Sequence, residues 1–323
     1  MVEGSGKRPV AFIQVDLDGL WAVRRCYGVA GSPEQDDPVY SHALPALLEL
    51  FDRLGIQATF FVVGADAQVT WKCRQLEAVV KQGHEIANHS MRHDLSLGLR
   101  DADYVEREVT ASQAALGQAL GVEPHGFRAP GYGFSSRTVE VLRRLNFWYD
   151  SSLLPTPWGG LMRWLDWWMS RRPGSEKSQY GSMRGWRAPF RPYHPDPGRP
   201  EKASSVAPEF WEIPVSVSRL LRLPFHGATG YLLGRRWVDR AVRTLTRKEG
   251  FLNYVFHGLD LVDGRSWPVT PTKRGRWLFA GGERPRLDFF DKTLRQIVEQ
   301  CEIQRTDRWV EARRTSVEKP LTG

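Results

Sequence analysis

Short β-rich runs alternate with helical ones along most of this chain, and that rhythm restricts the fold more than any other feature. "PVAFIQV" (9–15) and "ATFFVVG" (58–64) read as buried strands. "HEIAN" (84–88), "HGFRAP" (125–130), "FWYDSS" (147–152), "FWEIPVS" (210–216) and "FLNYVFH" (251–257) follow in the same manner. Between them lie helical patterns at 42–55 with a glycine stop, 66–82, 101–121, 135–145 with a serine cap, 235–248 and 288–300. Strands that alternate with helices predict a parallel sheet covered by helices, as a barrel or a doubly wound sheet. Residues 154–208 break the rhythm. They are rich in proline, glycine, tryptophan and arginine, and read as an insertion too irregular to build a core of its own.

The 323 residues, 41% hydrophobic and 25% charged, suffice for one large α/β domain, expected over 1–323 with the insertion at about 154–208. No apolar run approaches the roughly 18 residues of a membrane span. The apolar start of "MVEGSGKRPVAFIQVDLDG" is too short for a signal peptide and runs into acidic residues. This predicts a cytoplasmic protein, and Cys26, Cys73 and Cys301, odd in number and far apart, suit a reducing compartment. The net charge of +8 suits nucleic acid, anionic membranes or anionic substrates. Without zinc-finger spacing, an aromatic RNA-binding strand or a long basic run, a nucleic-acid module is not expected.

The polar clusters fall where predicted strands end. They are Asp16-Leu17-Asp18, the pair His89 and His93, Arg128 to Tyr132, Asp150, and His257. In parallel α/β folds the carboxyl ends of the strands share one face, and sites form there. His89 and His93, spaced i and i+4, would share one face of a helical turn within reach of a single metal ion. The bland reading is a capping loop, since Asn88 and Ser90 are capping types. His257 alone would read as a satisfied core histidine. Five clusters on one face argue for a pocket.

"VDLDG", "HSMRHD", "FRAPGYG", "WYDSS" and "YVFHGLD", in this order, resemble the five motifs of the polysaccharide deacetylases, the NodB-homology or carbohydrate esterase 4 family. The resemblance covers residues 9 to about 300 apart from the insertion. It implies a distorted (β/α) barrel of 7–8 parallel strands that removes N- or O-acyl groups from sugars with a divalent metal. Asp18, His89 and His93 would be the metal ligands. Zinc is the default ion for such a set, and the family tolerates cobalt, manganese, nickel or iron. Asp16 would be the general base, His257 the general acid and Arg128 the partner of Asp16. A backbone N–H near Gly131 or Tyr132 would donate to the oxyanion. Asp150 would belong to the site or cap the following turn, and Asp260 would orient His257 or serve only its loop. Two departures stand out: Leu17 separates two aspartates that are usually adjacent, and Gly131 occupies the place of the usual tyrosine.

"WGGLMRWLDWWMSRR" (158–172) holds Trp158, Trp164, Trp167 and Trp168 with Arg163, Arg171 and Arg172. It reads as a segment contacting an anionic membrane, as a core lid or as a sugar-stacking platform. The basic stretches "LLGRR" and "TKRGRW" would join such a patch. A cytoplasmic deacylase needs an intracellular substrate, so an N-acylated sugar, or a lipid-linked cell-envelope precursor at the inner membrane face, is expected. The competing readings are a relative hydrolysing a ureido or cyclic amide compound and a non-catalytic carbohydrate- or lipid-binding protein.

Overall fold

The computed structural model describes residues 8–161, 164, 185–206, 208–265 and 282–317. Its strands are β1 (Val10–Leu17), β2 (Thr59–Val62), β3 (Glu85–Asn88), β4 (Gly126–Phe127), β5 (Tyr149–Asp150), β6 (Trp211–Glu212), β7 (Phe251–His257) and β8 (Glu302–Ile303). They pair in the order β6-β5-β4-β3-β2-β1-β7, with β8 on the start of β1, and every ladder between them is parallel. Strands one to six follow one another around the sheet without a reversal, as in a barrel and unlike a doubly wound sheet. The seam between β6 and β7 has no continuous ladder. It is bridged by the Ser216 N–H donating to the Asn253 carbonyl (3.3 Å) and by a parallel bridge between His226 and Val255. The fold is therefore the expected distorted (β/α) barrel.

The helices are α1 (Leu20–Cys26), α2 (Leu44–Leu54), α3 (Gly64–Ala67), α4 (Thr70–Lys81), α5 (Ala102–Leu120), α6 (Ser136–Arg144), α7 (Gly227–Leu233), α8 (Arg235–Glu249), α9 (Glu283–Gln300) and α10 (Thr306–Val317). Two boundaries follow the sequence signals closely. Helix α2 stops at Gly55, which takes φ 63°, and α6 starts where the Ser135 hydroxyl accepts the Thr138 N–H at 3.1 Å. The short elements α1, α7 and β8 escaped the periodicity, because runs of this length carry too few turns or alternations to register; the 12-residue α10 escaped it because Trp309 and Val310 are its only buried apolar side chains among the described residues.

Strand β1 shows how the barrel sets up its interior. Ala11, Ile13, Val15 and Leu17 pack outward with Leu44, Leu47 and Phe51 of α2. Phe12, Gln14 and Asp16 occupy the alternate positions, which face the lumen. At the amino end of the strands, Phe12 meets Phe251 and Trp309 edge-on at centroid distances of 5.3 and 5.5 Å. Trp309, on α10, thus plugs the lumen from below, and the polar side chains above it stay out of bulk water.

The insertion is partly anchored. Tyr193 forms an antiparallel bridge with Glu212 on the free edge of β6, and its hydroxyl donates to the Pro200 carbonyl at 2.7 Å. Arg163, Trp167, Trp168, Arg171 and Arg172 lie outside the described residues, as does the "TKRGRW" stretch. No helix among the described residues is long and apolar enough to cross a membrane.

Candidate active site and metal centre

Asp18 lies one residue beyond the end of β1, in a turn that is tightly held. The Leu20 N–H donates to Asp37 Oδ2 (2.9 Å), and the Trp21 indole N–H donates to Asp66 Oδ1 (2.8 Å). Lys72, fully buried, bridges the same two carboxylates at 2.8 and 2.6 Å. A side chain at position 19 would meet the Trp21 ring at 2.6 Å and Asp66 Oδ2 at 2.8 Å, so the close approach requires glycine.

His89 follows β3 directly, its N–H bonded to the Val62 carbonyl at 3.0 Å. The helical turn expected for His89 and His93 is not formed. Residues 89–93 make a loop in which Ser90 and His93 take φ 62° and 55°, and the loop rather than a helix face brings the imidazoles together. Such left-handed conformations cost on the order of 1–3 kcal/mol each and persist only when surrounding bonds impose them. Here Asn88 Oδ1 accepts the Ser90 N–H (2.9 Å) and Ser90 Oγ accepts the His93 N–H (3.1 Å). Arg25 of α1 donates to the carbonyls of Arg92 and His93, the latter at 3.1 Å, and ties the loop to the helix that follows Asp18.

Asp18, His89 and His93 offer one carboxylate oxygen and two imidazole nitrogens within 4.8 Å of one another, all buried. Asp18 Oδ1 lies 3.1 Å from His89 Nε2 and 3.3 Å from His93 Nε2, yet receives a well-aligned hydrogen bond from neither. His89 Nδ1 faces the Arg128 carbonyl at 2.7 Å, so this nitrogen carries a proton and Nε2 is the nitrogen turned toward the cluster. Burial pushes the Asp18 carboxyl upward, but the His93 charge and the contacts with both imidazoles outweigh it and hold the group well below the usual range. A buried carboxylate oxygen with no hydrogen-bond partner among the described residues, beside two imidazole nitrogens, fits a divalent cation.

Asp16 faces the lumen beside this cluster. Its Oδ1 accepts from Arg128 Nη1 at 2.5 Å, and its Oδ2 lies 3.5 Å from His257 Nε2. Arg128 is fully buried and fully engaged. Its Nε donates to the Ser151 carbonyl (2.8 Å), and its Nη2 to Ser151 Oγ (2.8 Å) and Gln14 Oε1. Gln14 in turn donates to Thr306 Oγ1 on α10 at 3.1 Å. His257, at the end of β7, is the open member, with 30% of its side chain exposed against 2% for Asp16. Asp260 accepts the His257 backbone N–H at 3.0 Å, so it fixes the chain at the strand end.

The Pro130–Tyr132 turn has Gly131 at φ 60° and Tyr132 at φ 59°. The Tyr132 N–H is committed to the Ala129 carbonyl at 3.1 Å. The Tyr132 hydroxyl is buried without a hydrogen-bond partner among the described residues. Burial, then the Asp16 charge, push it well above its usual range, so it stays protonated.

Asp150 makes no direct hydrogen bond or ion pair with these groups among the described residues. It is fully buried against Glu212 on β6, accepts from Ser152 Oγ at 2.5 Å, and leaves Oδ2 without a conventional donor, as Glu212 leaves Oε2. Burial pushes Asp150 to about 7, and burial with the Asp150 charge pushes Glu212 well above its usual range. One proton shared between two buried carboxyls accounts for both. A group raised in the folded state stabilises below its unfolded value and loses that contribution as pH rises through its folded value. Wild-type melting temperature should therefore fall as pH rises through about 7. In Glu212→Gln, whose amide donates permanently to Asp150, that decline should shrink, as calorimetry between mildly acidic and alkaline pH would reveal.

One neighbour had no counterpart among the motifs. His226, half-buried beside the β7 strand, sets its ring edge-on to His257 at 6.5 Å between centroids. Its ring accepts the Thr229 N–H at 3.3 Å, and burial, then His257, push it down to about 3, so it stays neutral. A histidine capping a short helix is the only local sign of it in the sequence.

Residues 35–149 match the family model for polysaccharide deacetylase. Over 143 residues, 43% of this chain, it is 29% identical to a peptidoglycan deacetylase of Helicobacter pylori, and over 128 residues it is 34% identical to a chitooligosaccharide deacetylase of Bradyrhizobium sp.. The matched regions span 48% and 56% of those two proteins, about half the length of each. The fold superposes on the crystal structure of a candidate polysaccharide deacetylase from Mycobacterium smegmatis with a TM-score of 0.57 at 19% identity, covering 100% of this chain and 96% of that one. The matched segment and the barrel together make this chain similar to the polysaccharide deacetylases, in sequence over residues 35–149 and in fold along its length.

Proposed function

We propose that the chain hydrolyses the N-acyl group of an acylated sugar, with a divalent cation held by Asp18, His89 and His93. The observation that carries this reading is the convergence of that ligand set with an arginine-paired carboxylate 3.5 Å from a half-open imidazole. A cation in such a ligand set, zinc by default, supplies Lewis acidity toward water and the acyl carbonyl. Arg128 occupies Asp16 Oδ1, which leaves Oδ2 on the His257 side to take a proton from the attacking water. His257 delivers a proton to the departing nitrogen, without which an amine does not leave at neutral pH. With the Tyr132 N–H committed to its turn, Gly131 is the backbone donor for the oxyanion, and the Tyr132 hydroxyl stands ready as a second. Asp150 and Glu212 support this arrangement from behind, since Ser152, bonded to Asp150, also accepts the Ala129 N–H next to Arg128.

The substrate class follows from chemistry and surface. Curated relatives are named for peptidoglycan and for chitooligosaccharides, both N-acetylated sugar polymers. The basic charge and the tryptophan-rich 158–172 segment favour a lipid-linked form of such a sugar at the inner face of a membrane. His93→Ala is expected to lose the metal found in purified wild-type protein, read by elemental analysis. Incubation with N-acetylated oligosaccharides and with cell lipid extracts, followed by mass spectrometry, should release a free amine. Full metal content in the variant, or no deacylated product from either source, would overturn the proposal.

A further inference from the structure

The described residues gather an apolar, basic surface around a hairpin that no catalytic group uses. Residues 216–225 double back on themselves, through the Val217–Pro224 bridge and the Phe225 N–H to Ser216 carbonyl bond of 2.8 Å. The tip is rigid, because the Ser218 N–H donates to the Leu223 carbonyl and the Arg222 N–H to the Ser218 carbonyl, both at 2.8 Å. At that tip Leu220 is 89% exposed and Leu221 54%. A folded chain gains nothing in water by holding two leucines outward on a fixed turn.

Contacts join the tip to other exposed apolar groups. The Trp158 indole N–H donates to the Leu221 carbonyl at 2.7 Å, and Leu161 and Trp164, at i and i+3 beyond it, are about half exposed. Arg222 donates to the carbonyls of Pro155 and Ala188, both at 3.3 Å, which brings in the neighbouring, exposed Trp186. Of the nine large hydrophobic side chains exposed among the described residues, Leu220 and Leu221 stand on this turn, and Leu161, Trp164 and Trp186 lie within a few residues of its bonded neighbours Trp158 and Ala188, which argues against ordinary scatter. Among the described residues the basic groups at or beside these contacts are Arg187, Arg191, Arg219 and Arg222, and Arg191 and Arg219 both approach Glu249. Aliphatic wedge, indoles and excess guanidinium are the complement of an anionic lipid headgroup layer over acyl chains.

We infer that this hairpin docks on an anionic lipid surface, with Leu220 and Leu221 entering the acyl boundary and the flanking indoles and guanidiniums lying at headgroup level. The inference deepens the membrane reading above and rests on it, while moving the contact from the 158–172 segment alone to the 218–223 turn. The test is co-sedimentation with vesicles of phosphatidylglycerol and, separately, of phosphatidylcholine. Wild-type protein is expected to sediment with the first and far less with the second. Leu220→Ser/Leu221→Ser should weaken that binding about 10-fold or more, with unchanged melting and unchanged hydrolysis of a soluble acylated oligosaccharide. No wild-type binding to phosphatidylglycerol, or equal binding by the double variant, would overturn it. So would a wild-type dimer in sedimentation velocity that the double variant dissolves, since the patch would then belong to a second copy. Vesicle binding without any hydrolysis would count against the deacylase reading alone and leave the docking surface supported.

Discussion

Replacing Asp16 with asparagine is expected to lower turnover by about 10²–10⁴-fold while bound metal is unchanged. The substitution is nearly isosteric, and an asparagine oxygen can still accept from Arg128 Nη1, so the lumen keeps its packing. What disappears is the carboxylate oxygen facing His257, to which the proposed function assigns the proton of the attacking water. His257→Ala should give a loss of the same order for a different reason, because the departing nitrogen then leaves without its proton. Steady-state rates with metal content measured on the same preparations separate the two roles from metal loss. Near wild-type turnover in either variant would remove that residue from the mechanism.

Arg128→Met is expected to cost about 3–5 kcal/mol in urea unfolding, the penalty for removing one partner of a buried ion pair. Methionine fills much of the volume but satisfies nothing. Asp16 Oδ1, the Ser151 carbonyl and Gln14 Oε1 would each lose a donor inside a lumen closed below by Trp309. The column from Thr306 through Gln14 and Arg128 to Asp16 would be cut in the middle. Adding Asp16→Asn to Arg128→Met should recover part of the loss, since the stranded charge is gone although the cavity contacts are not. If the double variant is no more stable than the single one, the cost lies in packing and not in the unpaired carboxylate.

What was legible in the sequence is local. The β-rich run of β1 and the 3.6-residue pattern of α2 announce themselves, because composition and apolar spacing are carried within each element's own length. Parallel strands then put their carboxyl ends on one face by necessity, and that is why the sequence points to one pocket for Asp16, Asp18, His89, Arg128 and His257. The alternation of strands and helices left a barrel and a doubly wound sheet both open, and the resemblance of the motifs implied the barrel.

Tertiary structure decided everything that depends on register and loop path. The i, i+4 spacing of His89 and His93 suggested a helical turn, but an Asn88–Ser90–Arg25 network holds them in a loop with positive φ, and no residue-level preference announces that network. Arg128 meets Asp16 across 112 residues of chain, through alignment of β1 to β4. Asp150 looked like a site residue by its motif, yet the β5–β6 register sets it opposite Glu212 and turns it into half of a buried acid pair. His226 reaches His257 because the barrel closes through a seam rather than a ladder. Sequence alone specified which elements form and which polar groups share a face, since these follow from periodicity within each segment. Which of those groups touch was left to the tertiary structure, because a contact is a property of two segments brought into register, and neither segment encodes that register by itself.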